Sequence, residues 1–173
     1  MTRRPERGEA APYYFGYIDR VPGHLVLSVL SSQLGETLAL LHGISEEQSL
    51  HRYASDKWTI RQALSHVNDT ERLFVFRAFW FARGFDTPLP SFDQNVAVAA
   101  AAANDLSWQL HVEDFRAVRG ATLTFFRGLR AAAWDRRGIA SDNPFSVRAL
   151  AYLSAGHLIH HNEIIRERYL RQA

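Results

Sequence analysis

Cysteine is absent from this chain, which removes disulfides, thiolate ligands and a cysteine nucleophile together. Any metal it binds must be held through nitrogen and oxygen. Long apolar runs are also missing, and nothing approaches the ~20 residues that span a bilayer. No apolar segment of signal-peptide type follows the polar start Met1-Thr2-Arg3-Arg4-Pro5-Glu6-Arg7, so the cytoplasm is the expected location. Lysine is almost missing, Lys57 being the single one, and the arginines are interspersed with acids. Arg116 lies near Glu113 and Asp114, and Arg166 and Arg168 flank Glu167. With a formal net charge of +2 and no basic stripe, nucleic acid is not an expected partner.

What is present suits one globular domain over residues 1–173, with residues 1–12 expected as a flexible N-terminal arm. Four helical stretches stand out. The first is expected after Val21-Pro22-Gly23, with Leu25, Val29, Leu30, Leu34, Leu38 and Leu41 at spacings of three and four and a stop at Gly43. The second opens at Thr59, where Gln62 completes a capping box, and closes near Gly84. Its apolar stripe includes Ala63, Leu64, Val67, Phe74 and Ala78.

From Phe85 to Leu106, prolines and then alanines indicate a long connection with one short helix, of a length often used for lids and crossovers. The third helix runs roughly from Trp108 to Ala132, with Leu110, Phe115, Val118, Leu123, Phe126 and Leu129 inward. Turns at Asp135-Arg136-Arg137-Gly138 and Asn143-Pro144 lead to a last helix capped by Ser146 and reaching about Arg171. No strand of period two is evident. The expected fold is all-α, a four-helix bundle with a long connection between helices two and three.

In Ala155-Gly156-His157-Leu158-Ile159-His160-His161, His157 and His161 stand four apart. A helix puts both imidazoles on one face, which makes half of a site for a divalent transition metal. Eight histidines in 173 residues give roughly 0.4 such pairs by chance, so the pair needs a third ligand to carry weight. The residues leave His66 open between a ligand and a core histidine bonded to a backbone carbonyl. Asp69 shares a face with His66, where it can orient a ligand imidazole, or else pair with Arg72 or Arg77. His24, His42, His51 and His111 read as solvated or helix-terminal, and Asn162 and Glu163 as surface or dimer contacts. Gly156 reads as a close-packing position. Trp58, Phe74, Phe76, Phe79, Trp80 and Phe81 read mostly as core, and Tyr13, Tyr14, Phe15 and Tyr17 as an arm closing one end of the bundle.

The chain resembles the DinB-like family of metal-binding four-helix bundles from Tyr13 to Leu170. The resemblance rests on Lys57-Trp58-Thr59-Ile60, the run Ala63-Leu64-Ser65-His66-Val67-Asn68-Asp69-Thr70-Glu71-Arg72, and Phe76-Arg77. Phe92-Asp93-Gln94-Asn95, Phe115-Arg116-Ala117-Val118-Arg119 and Ala155-Gly156-His157 with His160-His161 complete it. The resemblance implies a three-histidine metal site at His66, His157 and His161, leaving His160 outside it. A divalent cofactor (Zn, Ni, Fe or Mn) and a homodimer follow as expectations. The reaction it implies is transfer of a low-molecular-weight thiol, activated by the metal, to an electrophilic small molecule. Metal-dependent hydrolysis is the close variant. The contrasting reading is a non-catalytic, stress-associated module that binds a metal or an apolar ligand.

Overall fold

The capping box at Thr59 and Gln62 starts the longest helix. The Gln62 N–H donates to Thr59 Oγ1 at 3.1 Å and the Thr59 N–H to Gln62 Oε1 at 3.0 Å. In the computed structural model, which describes residues 3–171, this helix is α3 (Ile60–Ala82). It is preceded by α1 (Phe15–Ile18) and α2 (Val26–His42), and followed by α4 (Gln94–Ala100), α5 (Trp108–Arg127) and α6 (Val147–Ile164). The long helices α2, α3, α5 and α6 form the bundle, as the apolar spacing predicts. Gly84 follows α3 with φ +86, the left-handed conformation that ends helices. Ser146 caps α6 by accepting from the Ala149 N–H at 2.9 Å. A π-helical turn, Ile165–Tyr169, continues α6. Among the described residues, no helix is long and apolar enough to cross a membrane.

α6 is the central element, buried at every position from Val147 to Leu158. Burial on all sides explains why its sequence is apolar around the whole helix instead of on one stripe. Its principal neighbours are α3 and α1. The approach of α1 depends on Gly156, where a Cβ would overlap the backbone carbonyl of Tyr17.

Several expectations are corrected. Leu25, expected within the first long helix, is its exposed N-cap; the helix starts at Val26, after the Val21-Pro22-Gly23 break, where Gly23 adopts φ +65 and holds the chain outside the helical region. Leu110 is exposed, not inward. Between α5 and α6 lies an antiparallel hairpin, β1 (Arg137–Ala140) and β2 (Asn143–Ser146), where the sequence suggested only turns. Ser141 and Asp142 join the strands with φ of 50° and 58°, as a two-residue type I′ turn requires. Leu89, in the long connection, bonds to this hairpin, its N–H donating to Ile139 O at 2.9 Å.

Residues 3–12 are no loose arm; the expectation for residues 1 and 2 lies outside the described residues. Glu9 is fully buried, accepting from Ser146 Oγ at 2.6 Å and from the Arg148 guanidinium at 3.1 and 3.2 Å. Asn162 is buried as well, donating to Thr37 Oγ1 at 2.7 Å, and Glu163 pairs with Arg20 at 2.5 Å. His111 lies in the first turn of α5 but is buried and bonds the Ala103 carbonyl at 2.8 Å, so it is not solvated. The six aromatics divide: Phe74 and Phe81 are core, while Phe76 and Phe79 are exposed.

Candidate metal centre

His157 and His161 stand one turn apart on α6, and α3 presents His66 to them across the densest helix contact in the bundle. Nε2 of His157 lies 3.1 Å from Nε2 of His66 and 3.1 Å from Nε2 of His161. Three ring nitrogens from two helices thus converge on one point, all within 4.8 Å of one another. His160, one position before His161, is left out of the cluster and packs its ring edge-on to Tyr17 at 5.4 Å.

Burial fixes the protonation of the three rings. His66 is lowered to about 4 by desolvation. Desolvation first, then the charges of His66 and His160, lower His161 to about 3. His157 is also lowered well below the ordinary histidine value, by desolvation and its histidine neighbours. All three are neutral at pH 7, the form in which imidazole offers a lone pair to a metal.

The donor set fits a divalent cation. Two imidazole nitrogens each about 2.1 Å from a common ion would lie roughly 3.0–3.4 Å apart at octahedral to tetrahedral angles, and the observed spacing falls in that range. Three neutral ligands leave coordination positions free, which is the plan of a catalytic site rather than a closed structural one.

The side chain behind His66 is Thr70, one turn further along α3, with Oγ1 3.4 Å from His66 Nδ1. With Nε2 given to a metal, Nδ1 would carry the ring proton, and Thr70 Oγ1 stands where it would accept it. Asp69, which the sequence left between this task and an arginine partner, accepts from Arg72 at 3.3 Å. Spacing allowed both: i+3 and i+4 share the helix face, and only the ring's rotation distinguishes them. Glu71 is committed elsewhere, in a buried two-bond pair with Arg119 at 2.8 and 2.7 Å.

A cavity of about 240 Å³ opens on His66 and His157. Tyr13, Tyr14 and Tyr17 form one wall, so the aromatic arm covers the site as well as closing the bundle. The ring of Tyr17 meets that of His157 edge-on at 5.5 Å. Phe92 and Gln94, from the long connection, supply another wall, which gives that segment a place at the site. Arg77 and Ser141 close the far end. The sequence signal for Arg77 is its stripe: His66, Thr70, Leu73 and Arg77 recur at four, three and four, and all four line the cavity. Among the described residues, no aspartate or glutamate lines it.

The sequence profile of the DinB superfamily matches residues 30–165. No curated protein matches the chain. Among solved structures, the chain is similar to YfiT from Bacillus subtilis, described as a probable metal-dependent hydrolase with an unusual four-helix bundle topology. That likeness has a TM-score of 0.73 at 16% identity and covers 99% of this chain and 94% of the other. The mycothiol-dependent maleylpyruvate isomerase is similar with a TM-score of 0.69 at 13% identity, over 84% of this chain. The match covers 61% of the isomerase, so this chain spans about three fifths of its length. At these identities the likeness is one of fold.

Proposed function

The chain belongs to the DinB superfamily, and from that membership we propose that it holds a divalent metal on His66, His157 and His161 and transfers a small thiol to an electrophile. The observation that carries the reading is the convergence of three neutral Nε2 atoms beside a cavity. A divalent metal held there would supply a nucleophile at neutral pH by lowering the pKa of a thiol or water bound to it. The chain's own residues do the rest. Thr70, 3.4 Å from His66 Nδ1, would accept the ring proton and so leave Nε2 to the metal. The phenols of Tyr13, Tyr14 and Tyr17, with Phe92, shape the space in which the electrophile is held and water is excluded.

The thiol reading is favoured over hydrolysis by the missing carboxylate. Attack by water usually calls for a general base within hydrogen-bond reach, and among the described residues no carboxylate lines the cavity. A thiol that has lost its proton to bulk solvent needs no such base. Its sulfur forms the new bond to carbon, and the leaving group departs with the electron pair. Cytoplasmic residence and a homodimer belong to the same reading; light scattering on the purified chain checks the second.

The test is elemental analysis of tag-free protein beside His66→Ala and His157→Ala, followed by turnover assays. About one metal per chain, lost in both variants, together with thiol-dependent consumption of chlorodinitrobenzene, is the expected result. Cleavage of nitrophenyl acetate without thiol would move the reading to hydrolysis. A metal-free protein that also refuses added Zn, Ni, Fe and Mn would overturn it and leave apolar-ligand binding.

A further inference from the structure

Arg77 is the unexplained charge of this molecule. It lies on α3, three turns beyond His66, with 2% of its surface exposed. Its Nη2 donates to two neutral acceptors, Pro90 O at 3.0 Å and Ser141 Oγ at 2.8 Å. Its Nε is buried without an acceptor, and no bond to Nη1 is found among the described residues. The other two arginines on α3 are paired with acids or carbonyls: Arg61 with Glu46, and Arg72 with Asp69 and Asp114. No carboxylate pairs with Arg77 among the described residues, although a buried cation without a counter-charge is costly.

The surroundings hold this guanidinium in place instead of neutralising it. Pro90 belongs to the long connection and Ser141 to the left-handed turn of the hairpin, so two separate segments grip Nη2. Phe145 lies 6.0 Å beneath the guanidinium carbon. The cavity that Arg77 lines at one end is lined at the other by His66 and His157. Arg77 follows His66 by eleven positions on one helix, a rise of about 16 Å along the axis.

We propose that Arg77 is the seat for a carboxylate on the molecule that occupies the cavity, directing the rest of that molecule toward the histidine cluster. A carboxylate is the chemistry that fits. It is planar and accepts hydrogen bonds from a guanidinium fork. The remaining walls, Leu73, Phe74, Phe92 and the tyrosines, suit an apolar or aromatic skeleton and offer no second cation of the kind phosphate sites usually recruit. Tyr14 is kept a neutral phenol, its pKa raised by burial, so its hydroxyl is available as a second donor. The inference rests on the proposed metal site only for what the far end of the ligand meets. The contact at Arg77 requires no metal.

The experiment compares benzoate with benzamide, which has the same shape and no charge, by calorimetry on the full chain, both metal-loaded and chelator-treated. Benzoate should bind roughly ten- to a hundredfold more tightly than benzamide in both forms, as charge-assisted hydrogen bonds imply. Arg77→Met should abolish that preference, and benzoate alone should move the NMR resonance of the Arg77 Nε–H in the unmutated protein. The resonance decides the matter if Arg77→Met fails to fold. Equal affinity for the two ligands, no binding of either, or an unmoved resonance would overturn the inference. So would a preference seen only with metal and unchanged in Arg77→Met, which would place the carboxylate on the ion. A chain that refuses every metal yet prefers benzoate through Arg77 would sink the metal reading and leave this one standing.

Discussion

Thr70 and Arg119 show how much a single side chain decides here. Thr70 is the only hydrogen-bond partner found for His66 Nδ1 among the described residues. Thr70→Val keeps the shape and removes the acceptor, so metal affinity is expected to fall roughly tenfold or more with the fold unchanged. Competition with a chromogenic chelator would measure it, and an unchanged affinity would show the contact to be idle. Arg119 is fully buried and joins three helices, bonding Glu71 on α3 twice and Gln33 on α2 at 2.7 Å. Arg119→Met strands the Glu71 charge and is expected to cost about 3–5 kcal/mol in urea unfolding. Adding Glu71→Leu should restore much of that loss. The sequence made His157 and His161 legible because four-residue spacing is a local property. It left both His66 and Asp69 undecided, because which helix faces which, and how a ring rotates, are matters of tertiary contact. Arg77 was legible only as part of a motif, since its lack of a partner is a fact about the whole interior.

At the scale of elements, local chemistry governed what could be read. The caps at Thr59 and Ser146 mark true helix starts because their hydrogen bonds close within three residues. The hairpin escaped notice for the same reason. Its strands are four residues each, one carries Pro144, and its turn is Ser141-Asp142 where Asn-Gly would have announced it. Gly156 offers the sharpest test at this scale. A Cβ there collides with the Tyr17 carbonyl, so Gly156→Ala must push α1 off α6. A destabilisation of about 1–3 kcal/mol is expected, with faster quenching of tyrosine fluorescence as the aromatic wall loosens. A variant as stable as the parent, with unaltered fluorescence, would mean that α1 is not seated as described.

The molecule as a whole is tied together by charges drawn from distant parts of the chain. The Glu9 carboxyl is raised by burial but more strongly lowered by the Ser146 hydroxyl, the backbone at Glu6 and Arg148, and ends below its ordinary value of 4.5. The unfolded chain therefore takes up this proton first. The contribution is complete above about pH 4.5 and is lost as pH falls through the lower folded value. Glu9→Gln should be less stable at neutral pH and show a shallower loss on acidification in urea midpoints. An acid limb as steep as the parent's would argue against it. The bundle itself was legible because four long helical stretches in a chain of this length permit few arrangements, whereas the packing of residues 3–12 against α6 leaves no periodic trace. The placement of the three histidines also sets an order of events. His66 is translated ninety-one residues before His157, so a ribosome-bound chain ending short of α6 holds one donor of three. On the proposed site, the ion would therefore be selected after synthesis, by the closed bundle and from whatever pool of ions then surrounds it. The same polypeptide expressed under different metal supplies should emerge with different occupants, and purified material reports the growth medium as much as the preference of the protein.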